Sequence, residues 1–332
     1  MKVVIDVQGA QTANRFRGIG RYCLQLIKSI IQQAPRDEFH ILLNSNLVDG
    51  AKDIRNELSP YIQPSRFHAW QGPEPFSAEL KSSRTRRQMA CDIQHKIIQR
   101  IQPDLYFIPS LFEGYIENAV VRPVDRQFNV PNIAVFYDLI PLINPTDYLE
   151  GIPGYTDFYM DVIEDIKKVD HLLTISESSK KEAVDYLGLA EENITNIYAG
   201  VDSRFVSGSD NSHGIVQSLE ARGIDKPYFI YSGGADARKN LTRLIKAFAH
   251  LSNSNDEDYQ LVLVGKMQQG IQDELKKVIS KEGLTDRDVV FTGFVDDDFL
   301  ILLYQHSLAH VFPSWHEGFG LPALEAMSCG TA

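Results

Sequence analysis

The sequence predicts an α/β protein made of two doubly wound domains, each a parallel sheet covered by helices. Its 332 residues are more than one hydrophobic core usually holds, so length alone favours two domains. Short apolar runs alternate with longer helical segments along the whole chain. A polar, glycine-containing stretch at residues 206–214 interrupts this alternation and indicates a linker.

The first domain is predicted at residues 1–205. Six apolar runs of strand length lie in it, at Val3–Val7, Phe39–Leu43, Leu105–Ile108, Ile133–Phe136, His171–Ile175 and Ile194–Tyr198. The first run is interrupted by Asp6 and lacks a small-residue cleavage site, so it is predicted to be a strand and not a signal peptide. Residence in the cytoplasm is therefore expected.

The linker is predicted at residues 206–224 and the second domain at residues 225–332. Its four predicted strands are Tyr228–Tyr231, Gln260–Val264, Val289–Phe291 and Ala309–Phe312. The helices that follow them are predicted to begin near Lys239, Ile271, Asp296 and Gly320. Because the chain ends where a further strand would begin, this domain is expected to be incomplete.

Charge and cysteine content exclude several classes of function. The net charge is −11, which disfavours nucleic-acid binding, and no apolar stretch is long enough to span a bilayer. Cys23, Cys91 and Cys329 are odd in number and widely spaced, so neither a disulfide framework nor a structural metal site is expected. Nothing in the sequence addresses the oligomeric state.

The strongest chemical signal is the segment Pro313–Met327, which follows an apolar strand and opens a helix. Its glycines allow backbone amides to approach a ligand, and Pro322 suits a first helical turn. Free amides and the positive end of a helix favour a phosphate. Glu317 and Glu325 place one carboxylate on the loop and one two turns into the helix. Two glutamates at this spacing are most often solvated, but the glycine and proline context favours a ligand site.

A second signal follows the strand at Tyr228–Tyr231. Gly233 and Gly234 form a turn, and Arg238 and Lys239 follow at a predicted helix start. Cations there oppose the helix dipole, so they are poorly placed for helix stability alone. A bound anion would resolve the conflict.

Gly18 and Gly20 lie between the first strand and the first helix. This pair is weak evidence for a dinucleotide site, because Cys23 occupies the place of the third glycine of that fingerprint. An acidic residue at the end of a second strand, about 20 positions further on, is also missing. A dinucleotide oxidoreductase is therefore the weaker alternative for the function.

Asp138 ends a predicted strand, at the edge where an open sheet presents ligand-binding side chains. It is a candidate for positioning an acceptor, against an equal chance that it caps a turn. The basic residues between Lys81 and Arg100 allow a peripheral membrane contact or a lipid-diphosphate ligand. They scatter around the predicted helix, which favours an ordinary solvated helix. Asp296, Asp297 and Asp298 start a helix and are interpreted as capping charges rather than metal ligands.

Residues Glu317 to Gly330 read E-G-F-G-L-P-A-L-E-A-M-S-C-G, which resembles the signature of the retaining glycosyltransferases of the GT-B fold, family 4. The resemblance implies two Rossmann-like domains on either side of a cleft. It implies that Glu317 faces the transferred sugar, with Asp138 as a second catalytic candidate, and that Glu325 binds the ribose. The other residues implied to bind the donor are Gly18, Gly20, Gly233, Gly234, Arg238, Lys239, Gly318, Phe319, Gly320 and Leu321. Tyr137 stands where the family often has histidine, and Gly233-Gly234 stands where many members have glycine and arginine.

The implied activity is transfer of a hexose from a GDP- or UDP-linked donor with retention of configuration. Resemblance to transferases of bacterial surface-polysaccharide and O-antigen assembly makes mannose the first choice of sugar, and a glycan or a polyprenyl-diphosphate-linked glycan the acceptor. No cofactor is implied, because the departing phosphate helps to deprotonate the acceptor and no metal is required. Such an enzyme would work at the inner face of the membrane. The alternative is a non-catalytic module of a larger protein that binds nucleotide-sugar or glycan.

Overall fold

The computed structural model describes residues 1–16, 18–208, 212–254 and 258–332, and it divides into two compact units. The first unit is Met1–Ala199 and the second is Gly200–Ala332. Part of the linker predicted at 206–224 lies outside the described residues, and the remainder contains the helix Ser212–Glu220.

The first unit is built on a seven-stranded parallel sheet. Its strands are β1 Lys2–Asp6, β2 Glu38–Asn44, β3 Phe67–Trp70, β4 Leu105–Ile108, β5 Asn132–Phe136, β6 His171–Thr174 and β7 Ile194–Asn196. They lie in the order β3-β2-β1-β4-β5-β6-β7, which reverses direction between β1 and β4. All six predicted strands are confirmed, with ends shifted by one or two residues. The sequence missed β3, a four-residue edge strand whose alternation is blurred by the half-buried His68.

The helices of the first unit cover the sheet between its strands. They are α1 Gly18–Gln33, α2 Val48–Leu58, α3 Arg84–Ile101, α4 Ile140–Ile143, α5 Pro145–Tyr148, α6 Pro153–Ile166 and α7 Glu177–Leu187. Helix α7 shows why such boundaries form. The Ser176 side chain accepts a hydrogen bond from the backbone N–H of Ser179, and Gly188 ends the helix at φ 67°. The predicted capping role of Ser176 is confirmed.

The second unit repeats the pattern with a four-stranded parallel sheet. Its strands are β8 Tyr228–Ser232, β9 Gln260–Val264, β10 Val289–Gly293 and β11 Ala309–His310, in the order β10-β9-β8-β11. Its helices are α8 Ser212–Glu220, α9 Leu241–Ser254, α10 Gln269–Lys281, α11 Asp297–Gln305 and α12 Leu321–Ser328. All four predicted strands are confirmed, although β11 is shorter than predicted.

Both faces of the second sheet are buried under helices. All five residues of β9 are buried, as is typical of a central parallel strand. On one face Ile230 and Val262 pack with Leu303 of α11, and on the other Leu261 packs with Ile245 of α9. The sheet is therefore doubly wound, and its strand order reverses between β8 and β11. In such folds ligands bind at the carboxyl ends of the strands where this reversal occurs.

Candidate functional site

The carboxyl ends of β8 and β11 bring together the two strongest sequence signals. Gly233, Gly234, Arg238 and Lys239 follow β8, and the segment beginning at Pro313 follows β11. Three hydrogen bonds to backbone carbonyls join the segments: Trp315 N–H donates to the Arg238 carbonyl at 3.1 Å, Arg238 to the His316 carbonyl at 3.0 Å, and Asn240 Nδ2 to the Pro313 carbonyl at 3.1 Å. Two motifs far apart in sequence thus form one site.

The two cations lie in a 3₁₀ turn, Ala237–Lys239, and not at the start of α9. Asn240 adopts a left-handed backbone conformation at φ 59°, and α9 begins at the next residue, Leu241. The start of α9 was predicted two residues too early, near Lys239. The periodic apolar pattern cannot reveal that one residue, Asn240, has a left-handed backbone conformation. Arg238 and Lys239 therefore lie before α9 and are separated from it by Asn240.

Glu317 is the counter-ion of both cations in this structure. Its Oε2 accepts a hydrogen bond from Arg238 at 2.5 Å and its Oε1 accepts one from Lys239 at 2.5 Å. The side chains of Arg238 and Glu317 are each 16% exposed and that of Lys239 is 10% exposed. The same chain thus supplies a counter-ion for both cations, and the binding of a ligand anion by them stays a prediction.

The electrostatics of this cluster keep Glu317 ionised. Burial opposes the charged carboxylate, but the attraction and hydrogen bond of Lys239, together with the charge of Arg238, outweigh it and lower the pKa of Glu317. Of the three mostly buried charges, two are positive and one is negative. The more exposed Asp236 carboxylate lies 3.7 Å from Arg238 and balances part of the remaining positive charge. This arrangement suits an anion of higher charge than one carboxylate.

The loop from Gly318 to Gly320 leads into α12, as predicted. Gly320 lies at φ 104°, and a Cβ at this position would approach the ring of Phe312 to 3.2 Å, so only glycine fits without strain. Leu321 begins α12 and Pro322 lies in its first turn. Phe319 is half-buried in the loop between. The positive end of α12 therefore lies on the same loop as Glu317.

Gly233 serves backbone packing between neighbouring strand ends. It has φ 144°, and its N–H donates to the Val264 carbonyl at 3.0 Å. A Cβ on Gly265 would lie 2.1 Å from the Gly233 carbonyl oxygen, so this edge of the sheet requires glycine at 265. At Gly234 the nearest atom to a Cβ would be the Asp236 carboxylate, at 3.6 Å. Gly234 therefore has room for a side chain, and Gly233 does not.

Glu325 lies on α12, where its Oε2 accepts a hydrogen bond from the Tyr304 hydroxyl at 3.2 Å.

Asp296 caps α11 by accepting from the N–H of Phe299, and Asp297 pairs with Arg204 at 2.9 Å. These contacts agree with the capping interpretation of the aspartate run. Among the residues that the structure describes, no group of three or more histidine, cysteine or carboxylate side chains could hold a metal ion.

In the first unit, Gly18 and Gly20 lie in the first turn of α1 rather than in an open loop. A Cβ on Gly20 would lie 2.3 Å from the Asn14 carbonyl oxygen, whereas one on Gly18 would meet nothing within 4 Å. Gly20 is thus required for packing of α1 against the preceding 3₁₀ turn. At Gly18, by contrast, packing does not exclude a side chain.

Replacing Gly20 by alanine is expected to lower the free energy of unfolding by about 2 kcal/mol, because backbone must move to admit the methyl group. Gly18→Ala serves as the matched control and is expected to leave it unchanged within about 0.5 kcal/mol. Urea denaturation of both variants measures the difference. Equal effects would contradict the packing role assigned to Gly20.

Asp138 follows β5 and is half-buried. Its Oδ1 accepts a hydrogen bond from the N–H of Ile140 at 3.1 Å, so the turn-capping role is present. Tyr137, in the place of the histidine expected from the resemblance, is directed inward. Its hydroxyl donates to the Pro109 carbonyl at 2.9 Å and contacts Cys23 Sγ at 3.1 Å. Tyr137 therefore has a structural role, and the acceptor role of Asp138 stays a prediction.

The sequence did not single out Glu113, which lies at the strand-order reversal of the first unit. Its carboxylate accepts from Ser110 Oγ and Thr12 Oγ1, each at 2.8 Å, and from Asn14 Nδ2 at 3.1 Å. It thereby anchors the segment that leads into Gly18. Burial raises the pKa of Glu113 to about 7, although these three donors act in the opposite direction. No sequence motif marks this glutamate.

The raised pKa of Glu113 predicts a pH dependence of stability. The folded protein holds the proton up to about pH 7, and the unfolded chain releases it near 4.5. The folded state therefore binds more protons across this window, so the free energy of unfolding falls as pH rises through it. Between pH 5 and pH 7.5, Glu113→Gln is expected to lose about 2 kcal/mol less than the parent protein in urea denaturation. Equal losses would contradict the assignment.

Arg87, one of the basic residues of α3, makes its contacts within the first unit. Its half-buried guanidinium donates to the carbonyls of Gly114 and Ala119 at 2.9 and 2.7 Å and lies 5.5 Å from the centre of the Phe158 ring. A membrane contact of the other basic residues of α3 stays a prediction. Among the described residues, no helix is long and apolar enough to cross a membrane.

The sequence is similar to a family of transferases and to several known proteins. Residues 218–332 match the family model of the group 1 glycosyl transferases. The chain is 33% identical to a serotype-specific mannosyltransferase WbdA of Escherichia coli over 337 aligned residues, which cover 100% of this chain and 40% of that protein. It is 25% identical to O-antigen chain mannosyltransferase B of Escherichia coli, covering 94% of this chain and 77% of the relative. The chain thus spans about two fifths of the length of the WbdA relatives.

Solved structures agree on the fold. The chain superposes on Alr3699/HepE of Anabaena, crystallised with UDP and glucose, with a TM-score of 0.62 at 18% identity, over 100% of this chain and 79% of that one. Against sucrose-phosphate synthase of Thermosynechococcus elongatus the TM-score is 0.66 at 16% identity, over 100% and 80%. At such identities the likeness concerns the fold alone. The predicted GT-B fold is confirmed.

Proposed function

We propose that the chain transfers a hexose from a nucleotide-diphosphate sugar to a glycan acceptor, because residues 218–332 match the family model of the group 1 glycosyl transferases. The observation that carries this proposal is the cluster of Arg238, Lys239 and Glu317 beside the start of α12. Two mostly buried cations and a helix amino terminus are suited to two linked phosphates. Mannose is the proposed sugar, because the relatives that cover the whole chain are named as mannosyltransferases.

Each part of the cluster has a proposed chemical task. Arg238, Lys239 and the amides around Gly320 bind the diphosphate and stabilise the negative charge that grows on it as it leaves. Glu317, which its partners keep ionised, faces the sugar and accepts hydrogen bonds from its hydroxyl groups. Glu325 binds the ribose. Asp138 and the other residues of the first unit serve the acceptor, which is a glycan, free or carried on a polyprenyl diphosphate.

We propose that transfer retains the anomeric configuration and needs no metal. The departing phosphate, held by the two cations, is itself a base that can accept the proton of the attacking hydroxyl on the same face of the sugar. Glu317 cannot readily act as a nucleophile while it is paired with two cations. GDP-mannose is the first choice of donor, and UDP-sugars are the second because Alr3699/HepE was solved with UDP. The reaction is placed in the cytoplasm, where such donors are made.

The test is a transfer assay with GDP-mannose and with UDP-glucose, using a mannose-terminated oligosaccharide as acceptor. The expected result is an α-linked mannosyl product from GDP-mannose, formed equally well with and without EDTA, and its configuration is read by NMR. An inverted product would contradict the retaining mechanism. Donor binding without transfer or hydrolysis would favour the alternative, a non-catalytic binding module.

A further inference from the structure

A chain of four hydrogen-bonded side chains crosses the strand-order reversal of the second unit and ends at Glu325. The Tyr304 hydroxyl on α11 lies 3.2 Å from Glu325 Oε2 and 2.6 Å from Ser232 Oγ at the end of β8. Ser232 Oγ lies 3.2 Å from His310 Nε2 at the end of β11. Tyr304 has no exposed surface, and Ser232 is buried. These hydrogen bonds therefore connect β8 and β11, the two strands at the reversal, to α12, the helix that carries Glu325.

The Glu325 carboxylate determines which group donates in each of these hydrogen bonds. An ionised carboxylate only accepts hydrogen bonds, so the Tyr304 hydroxyl must donate to Glu325. The Tyr304 oxygen then accepts from the Ser232 hydroxyl, and the Ser232 oxygen in turn accepts from His310 Nε2–H. Burial lowers the pKa of His310 to about 4, so its ring is neutral and this arrangement selects the tautomer with the proton on Nε2. Burial and the charge of Glu325 raise the pKa of Tyr304, which keeps its proton.

We propose that Tyr304, supported by Ser232 and His310, is a positioning residue that holds the Glu325 carboxylate in the orientation that binds the ribose hydroxyl groups of the nucleotide. The inference rests on the proposed function, in which Glu325 is the ribose ligand. Neighbouring hydrogen bonds that all donate in one direction strengthen each other, particularly where water is excluded. The Glu325 carboxylate is thus oriented by a hydrogen bond donated from the protein side.

The ring of Tyr304 has a packing role that is separable from its hydroxyl. It packs against the rings of Phe205 and His310, with centroids 6.3 and 5.7 Å away. Phenylalanine keeps these contacts and removes only the link to Glu325. Tyr228 is the matched control, because it is equally buried in the same core and its hydroxyl donates to the Leu303 carbonyl at 2.7 Å, away from Glu325.

The experiment measures the affinities of GDP and UDP and of their 2′,3′-dideoxy forms by calorimetry. Tyr304→Phe is expected to bind the better ribonucleotide about five- to tenfold more weakly, and the dideoxy form unchanged within about twofold. Ser232→Ala removes the next link and is expected to act in the same direction by about two- to threefold. Tyr228→Phe is expected to leave the ratio of the two affinities unchanged. This ratio does not respond to a loss of stability alone.

The outcomes separate the inference from the proposed function. If Glu325→Ala loses the preference for ribose and Tyr304→Phe keeps it, the positioning role is overturned and the nucleotide site stands. If neither Glu325→Ala nor the parent protein shows any preference for ribose, the proposed role of Glu325 is overturned, and the inference falls with it. If Tyr304→Phe does not fold, Ser232→Ala decides, and an unchanged ratio there contradicts the proposal.

Discussion

Replacing Glu317 by glutamine is expected to reduce kcat for hexosyl transfer by about 100-fold or more while the affinity for a nucleoside diphosphate stays the same or rises. The amide is nearly isosteric, so the shape of the loop is kept, but the charge that faces the sugar is lost. Arg238 and Lys239 lose the Glu317 carboxylate as a competitor for phosphate. Steady-state kinetics with GDP-mannose and calorimetry with GDP measure the two effects separately.

The same substitution is expected to lower the free energy of unfolding by about 2 kcal/mol, because two mostly buried cations are left uncompensated. Added GDP should recover more of this loss in Glu317→Gln than in the parent protein. Asp258→Asn is the control, since it removes a carboxylate from the exposed Lys226–Asp258 pair of the same unit. A loss of kcat accompanied by an equal loss of GDP affinity would contradict the separate roles of carboxylate and cations.

Replacing Lys239 by methionine is expected to weaken nucleoside diphosphate binding by about 30-fold while leaving binding of the bare nucleoside unchanged. Methionine keeps the volume of the lysine stem in a position that is only 8% exposed, so packing is preserved. Arg238 alone then faces Glu317, and the two charges cancel. Calorimetry with GDP, UDP, guanosine and uridine measures the loss.

Lys226→Met is the matched control, because it removes a lysine from an ion pair of the same unit, with Asp258, and is expected to leave GDP affinity unchanged. An equal loss for nucleoside and diphosphate in Lys239→Met would indicate damage to the pocket. Unchanged GDP affinity would show that these cations do not bind the diphosphate. Each result is independent of whether the sugar is mannose.

The parts of the fold that could be predicted from the sequence are those that local patterns encode. Strand β9 contains a continuous apolar run at residues 261–264 because helices cover both of its faces, and such a run is visible without any structure. Strand β3 was not predicted, because a strand at the edge of a sheet does not require a continuous apolar run. The single left-handed residue Asn240 also escaped, since the apolar period is the same whether a helix begins before it or after it.

For the candidate site, the sequence identified residues but not their partners. Arg238, Lys239 and Glu317 were chosen from glycine-rich turns and from family resemblance, but their pairing joins positions 78 and 79 apart and depends on the order of strands in the sheet. Glu113 and Tyr304 could not be found, because their importance comes from burial beside other polar groups and not from any local motif. The sequence therefore indicates which atoms are available, and the topology decides which of them meet.

The internal pairing of Glu317 also bears on selectivity among anions. A small ion such as inorganic phosphate meets guanidinium and ammonium groups whose charge Glu317 already partly balances, so it must displace the carboxylate in return for little else. A nucleotide sugar brings ribose and hexose contacts that offset this displacement. If the proposed function holds, we therefore expect free phosphate to bind weakly, because it must compete with Glu317 for the two cations.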